Sequence, residues 1–177
     1  MNNWYYDGSQ DTYKKIGSLP SERWFESQVY EEGKGIVLEG LEKGIFQKGE
    51  DGEIYADLSQ FNLPNKVLLR ADGTSIYITQ DISLTKLRMD KYKADRYIWV
   101  GGEDQELHFK QLFAILELLG EKKEQFFHLP YGMIYLPSGQ MSSREGNVVL
   151  ADDLMDMVKK AVEKIMKDHK ELTTEEK

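Results

Sequence analysis

The sequence predicts an α/β fold: a parallel sheet with short antiparallel additions. Three observations predict it. Tyr97-Ile98-Trp99-Val100 is a short continuous apolar run closed by Gly101-Gly102, which reads as a buried parallel strand. Apolar stripes at helical spacing, each roughly 10–15 residues long, alternate with such runs, the pattern of strand–helix–strand units. Two Asp-Gly pairs, Asp51-Gly52 and Asp72-Gly73, each separate apolar runs as hairpin turns do.

Taken in order, residues 1–22 are polar and aromatic without a period and are expected to be loop. Gly17-Ser18 form a turn before Pro20, and Trp4, Tyr5 and Tyr6 are available to tie the segment down. From Ser27 to Lys43, Val29, Ile36, Val37, Leu38 and Leu41 predict a helix with one buried stripe, stopped by Gly44 and weakened in its middle by Gly33 and Gly35. Ile45–Lys48 and Glu53–Leu58 flank Gly49-Glu50-Asp51-Gly52 as a β-hairpin. Val67–Arg70 and Ser75–Ile78 flank Asp72-Gly73 in the same way, after which Ile82, Leu84, Leu87 and Met89 suit a helix to about Lys93. Leu107, Leu112, Phe113, Leu116 and Leu119 form a strong helical stripe ended by Gly120. Phe126–Leu129 and Gly132–Leu136 return to strand. Leu154, Met155, Val158, Val162 and Ile165 predict a last amphipathic helix from about Asp152, and Asp168–Lys177 is charged and expected to fray.

A chain of 177 residues is long enough for one domain with a sizeable core, and 40% hydrophobic with 31% charged residues describes a globular protein. No apolar run approaches the ~18 residues that span a bilayer, and Met1–Tyr6 lacks a basic stretch followed by an apolar one, so no membrane or secretory role is expected. The chain has no cysteine and only three scattered histidines, His108, His128 and His169, which disfavours disulfides and zinc. The cytoplasm is the expected compartment. A net charge of −8 argues against a broad nucleic-acid face and is compatible with a small cationic substrate.

Ligands on parallel sheets bind at the carboxyl ends of the strands, and the loops after Val100 and after Leu136 satisfy that geometry. The second runs Gly139-Gln140-Met141-Ser142-Ser143-Arg144-Glu145-Gly146-Asn147, with one apolar side chain in nine residues. Backbone N–H groups, hydroxyls and a guanidinium on a strand-to-helix loop suit a polyphosphate, and an ordinary solvated turn has the same composition. In the first, Gly101-Gly102 let a ligand approach the backbone and the following helix offers free N–H groups. Asp104 suits ribose hydroxyls, though a helix cap explains it equally. Gln105 and His108 share a helix face, and a lone histidine there is more often a structural hydrogen bonder. Upstream, Tyr77 and Asp81 mark a strand-to-helix junction. They are expected to face one cavity only if the helix begins between them, and helix N-termini favour a carboxylate such as Asp81 in any case.

The loop around Met141 resembles the Lys-Met-Ser-Lys-Ser signature of class I aminoacyl-tRNA synthetases, in the Met-Ser-Ser/Thr-Arg form common in arginyl-tRNA synthetases. The order and spacing of Asp72-Gly73-Thr74, Tyr77, Gln80-Asp81, Val100-Gly101-Gly102, Gln105, His108-Phe109, Gln111-Leu112, Tyr131-Gly132-Met133 and Met141-Ser142-Ser143-Arg144 resemble the second half of that catalytic domain. Phe25–Tyr30 and the hairpin at Asp51-Gly52 fit as well, so the resemblance covers about Trp24 to Ile165. It implies a Rossmann-like nucleotide-binding sheet, with residues 1–23 an extension, 24–150 part of the catalytic domain, and 151–177 a helix and charged tail. It implies that Tyr77, Asp81 and Gln105 bind arginine, helped by Glu26. Gly102 and Asp104 would lie against the ATP ribose, and Gly132 and Met133 against adenine. His108 and Met141 fall to the nucleotide as well, and Ser142, Ser143 and Arg144 face the triphosphate as the catalytic groups. The implied reaction activates arginine with ATP to arginyl-adenylate and then charges tRNA(Arg), by positioning and charge stabilisation with Mg²⁺ assisting and no metal held by the protein itself.

Departures from the pattern qualify what is implied. Gln140 and Ser143 stand where the signature has lysines, leaving Arg144 the only cation in the loop. Some relatives replace the second lysine from the N-terminal half of the domain. No two histidines are close enough for the His-Ile-Gly-His signature, so the sequence is expected to be part of a longer enzyme, inactive alone, with most tRNA contacts elsewhere. Two alternatives stay open. One is a non-catalytic paralogue that senses arginine or nucleotide. The other is a different class I synthetase or nucleotidyl-transferring enzyme, whose apolar or thiol substrate would not need Asp81 with Glu26.

Overall fold

The structure, a computed structural model, describes residues 2–19, 21–25, 27, 29–133, 135 and 148–168. It contains two compact units, Arg23–Met133 and Met1–Glu22 with Ile134–Lys177. The larger unit runs α2 (Tyr30–Glu42), β1 (Gln47–Lys48), β2 (Ile54–Ala56), β3 (Lys66–Leu69), α3 (Tyr77–Tyr92), β4 (Tyr97–Gly102), α4 (Glu106–Leu118) and β5 (Phe126–Tyr131). The smaller holds α1 (Asn2–Ile16) and α5 (Ala151–Asp168).

Helix α2 starts with Glu31 and Glu32 in its first turn, where the free N–H groups favour carboxylates, and ends where Gly44 turns to φ 73°. Its buried face is Gly33, Val37 and Gly40, while Leu38 points to solvent. The predicted weakness at Gly33 is instead a contact point. A Cβ there would stand 2.6 Å from the backbone oxygen of Thr79, so the missing side chain lets α2 close on the backbone of α3. Nothing lies within 4 Å of a Cβ at Gly35.

Strands β1, β2 and β3 form an antiparallel sheet in that order, with Gln47 opposite Tyr55 and Ala56 opposite Lys66. The first Asp-Gly turn closes as predicted, Gly49 N–H donating to the Glu53 carbonyl at 2.8 Å. The second also turns the chain, Asp72 Oδ1 accepting from Thr74 N–H at 2.8 Å, but Ser75–Ile78 is not a strand. A single bridge pairs Leu69 with Ser75, and α3 begins at Tyr77. The reason is Thr79, fully buried, whose hydroxyl donates to the Leu68 carbonyl and accepts the Ile76 N–H at 3.4 Å. One side chain thereby satisfies an orphan donor at the start of α3 and fastens that start to β3.

Strands β4 and β5 pair in parallel from Tyr97 opposite Phe126 to Gly102 opposite Tyr131, with α4 as the crossover. On one face the Trp99 ring packs tilted against Phe113 at 5.0 Å and edge-on to Phe126 at 5.9 Å, joining Leu112, Ile115 and Leu116 in the core. The opposite face is bare. Ile98, Val100, Phe127 and Leu129 are exposed, Val100 at 67%, so the strand predicted as buried on both faces is covered on one. Leu107, predicted on the α4 stripe, is likewise exposed. β5 is one strand ending at Tyr131, and residues 132, 133 and 135 have no strand pairing.

In the smaller unit, residues 2–16 are helix rather than the predicted loop. Their partner is remote in sequence: Thr12 Oγ1 donates to Asp152 Oδ2 at 2.8 Å, and Lys15 Nζ stands 2.8 Å from Asp152 Oδ1. The predicted stripe of α5 faces water at Leu154, Val158, Val162 and Ile165. No described helix is long and apolar enough to cross a membrane.

Two outcomes follow from these contacts. Gly33→Ala is expected to destabilise by about 1–3 kcal/mol, because a backbone atom has to move. Gly35→Ala is expected to stabilise by up to about 1 kcal/mol through helix propensity; urea titrations of both variants check the opposite signs. The α1–α5 contact is expected to be pH-bounded. The Lys15 and Thr12 bonds hold the Asp152 carboxyl below the usual aspartate range, so its stabilisation is present above the unfolded value and lost as pH falls through the lowered one. The Asp152 bond raises Lys15 above the usual lysine range, so that contribution is complete below the unfolded value and lost as pH rises through the raised one. Amide protection of Thr12 and Leu154 measured across pH should fall at both extremes.

Candidate functional site

Strand β4 delivers Gly101 and Gly102, both buried, to its carboxyl end. Both are closely hemmed in. A Cβ on Gly101 would lie 2.9 Å from Cε2 of Phe109 and 3.3 Å from Nε2 of His128. On Gly102 it would strike the Asp104 carboxylate and reach within 3.4 Å of the Met133 sulfur. Glycine therefore lets the backbone of β4, the Asp104 side chain and Met133 meet at one point. A short 3-10 turn, Glu103–Gln105, then leads into α4. The N-cap position of α4 is Gln105, so capping α4 is not the role of Asp104, which is exposed.

Helix α3 contributes Tyr77 and Asp81. The helix begins at Tyr77 itself and not between the two as expected; being four residues apart within one helix still places both on one face. Tyr77 is 80% exposed. Asp81 lies in the second turn, past the free N–H groups of the terminus, so the favourable end-of-helix charge effect does not account for it.

The two helices meet at a pair of side chains. His108 Nε2, in the first turn of α4, is 2.7 Å from Asp81 Oδ2. Gln105 is exposed one turn before His108. The structure thus joins Asp81 to His108 and gathers Gly102, Asp104 and Met133, with Gly132 beside Met133. Glu26, Met141, Ser142, Ser143 and Arg144 lie outside the described residues. The Asp81–His108 pair was not foreseen, since a single sequence gives no sign of which α3 residue meets which α4 residue.

The charge around this strand end is acidic. Asp81 on α3 and Glu103, Asp104 and Glu106 after β4 supply carboxylates. The Lys110 bond at 2.8 Å holds the Glu106 carboxyl below its ordinary range. Such a surround favours a cation, and a partly exposed carboxylate suits a guanidinium, which binds through paired N–H···O bonds. The glycine backbone and the start of α4 suit the ribose and phosphate side of a nucleotide. Among the described residues no cluster of three or more His, Asp or Glu side chains is arranged to hold a metal. A cavity of about 510 Å³ bordered by Phe61, Leu63, Phe113 and Glu117 includes none of these site residues in its lining.

The chain matches the family described as tRNA synthetases class I (R), catalytic domain, over residues 7–177. It is 53% identical to the arginine–tRNA ligase of Parabacteroides distasonis over 156 residues, covering 88% of this chain and 26% of that protein. It is 51% identical to the arginine–tRNA ligase of Bacteroides fragilis, with the same coverage of 88% and 26%. Thermus thermophilus arginyl-tRNA synthetase shares the fold with a TM-score of 0.74 at 20% identity, over 94% of this chain and 35% of that one. The chain thus spans about a quarter of the length of these curated relatives, 26% in both.

Replacing Gly101 with alanine is expected to push the Phe109 ring aside and cost about 1–3 kcal/mol. Chemical denaturation followed through tryptophan fluorescence measures it, and an unchanged midpoint would show that the ring yields freely.

Proposed function

The chain belongs to the class I (R) tRNA synthetase catalytic domains, and from that premise we propose that it is a working part of an arginine–tRNA ligase that activates L-arginine with ATP and charges tRNA(Arg). The arginine carboxylate attacks the α-phosphorus of ATP, pyrophosphate leaves, and the arginyl group of the resulting arginyl-adenylate passes to the terminal ribose of the tRNA. ATP and its Mg²⁺ enter as substrate. In this reading residues 24–150 are part of the Rossmann-like catalytic domain, 1–23 an extension, and 151–177 a helix and charged tail. The enzyme works in the cytoplasm, and its tRNA contacts lie mostly in regions beyond this segment.

The observation that carries the reading is the Asp81 carboxylate, partly open at the carboxyl end of the parallel sheet within an acidic surround. It and Tyr77 hold the guanidinium, with Gln105 and Glu26 completing the arginine site. Gly102 and Asp104 bind the ribose, Gly132 and Met133 the adenine, and Met141 the nucleotide. Ser142, Ser143 and Arg144 stabilise the charge that builds on the phosphates.

Arginine-dependent ATP–pyrophosphate exchange, with tRNA(Arg) present, tests this. The 177-residue chain alone is expected to give no useful exchange. Its sequence carries donors for one side of the triphosphate, and losing even one such donor costs about 10²–10³ in rate. In the longer protein that contains this segment, exchange is expected with arginine, and Asp81→Asn should raise the arginine KM about ten- to a hundredfold, as loss of a charge-assisted bond implies. Exchange driven by another amino acid would place the chain in a different synthetase, and arginine binding without exchange would make the protein a sensor.

A further inference from the structure

The contact between α3 and α4 gives His108 a role that the nucleotide does not explain. Its Nε2 is 2.7 Å from Asp81 Oδ2, with the two side chains 27% and 38% exposed. An ionised carboxylate only accepts, so the shared proton resides on Nε2 and the imidazole is the donor. The ring stands edge-on to the buried Phe109, at 5.5 Å and 76°. One carboxylate oxygen is therefore tethered to the ring, which restricts rotation of the carboxylate and leaves Oδ1 and the second lone pair of Oδ2 for a ligand.

A guanidinium binds through a planar fork, and its gain depends on the carboxylate already lying in the right plane. We propose that His108 is a positioning residue for substrate arginine: as an Nε2–H donor it orients Asp81 to receive the guanidinium. The inference rests on the reading of Asp81 as an arginine-binding group. It moves His108 from the nucleotide to the amino-acid half of the site.

The test uses the 177-residue chain and two variants, titrated with L-arginine and with L-citrulline, its neutral isostere, by two-dimensional NMR. His108→Phe keeps a ring against Phe109 and removes the donor. His108→Gln restores an N–H donor at similar reach. Loss of the donor is expected to raise the Kd for arginine about five- to tenfold, the usual net worth of one hydrogen bond. His108→Gln should stay within about twofold of the original chain, and citrulline binding should not change in either variant. Weakening of both ligands alike in His108→Phe would indicate a merely structural histidine and overturn the proposal. So would equal arginine affinity in all three proteins. Histidine side-chain ¹⁵N shifts of the original chain supply the independent arm. A protonated Nε2 that changes in Asp81→Asn confirms the tether. With that signature present and no arginine binding, the failure belongs to the arginine reading of Asp81; without it, the positioning role itself is wrong.

Discussion

The buried hydroxyl of Thr79 is the constraint on which the larger unit depends. It joins the end of β3 to the first turn of α3 through Leu68 and Ile76, and the backbone oxygen of the same residue lies against Gly33 of α2. Three elements meet at one residue with no side-chain slack. A threonine in the interior of an unconstrained segment would be neutral toward helix and favourable toward strand. Here its hydroxyl has two partners in a dry setting, where leaving either unsatisfied costs about 1–3 kcal/mol. That is why the chain turns helical directly after a single β-bridge.

The site inherits its geometry from this arrangement and from the aromatic layer beneath β4. Thr79 sets where α3 begins, hence which way Asp81 points two residues later. Trp99, Phe113 and Phe126 set where α4 begins, hence the place of His108. The Asp81–His108 contact is the consequence of two separately anchored helices arriving together. Gly101 and Gly102 contribute by omission, since any side chain there would hold the Asp104 loop or the Phe109 ring away.

The sequence made much of this legible. The parallel β4–α4–β5 unit was readable because Tyr97–Val100 is a continuous apolar run ended by Gly101-Gly102, and Leu112, Phe113, Leu116 and Leu119 fall at helical spacing. The hairpin at Asp51-Gly52 and the last helix were readable for the same local reasons. What escaped was set by distant partners. Helix α1 has no clear apolar period and is joined to α5 by Thr12 and Asp152, 140 residues apart. Ser75–Ile78 alternates like a strand and lost to the Thr79 hydroxyl. Of the site, residue types and their strand-to-helix positions were legible, whereas the pairing of Asp81 with His108 depends on packing between helices that no single-sequence period encodes.

The bare face of β4 and β5 also shapes the energetics of the whole chain. Ile98, Val100, Phe127 and Leu129 keep between 48% and 67% of their surface in water after folding, so unfolding adds less new hydration at these four residues than at covered ones. The heat-capacity increment on unfolding comes mainly from newly wetted hydrocarbon, typically about 12–15 cal/mol/K per residue. A sheet face already half wet contributes less to that increment than a covered face of the same length would, and so adds less to the curvature of stability between cold and heat.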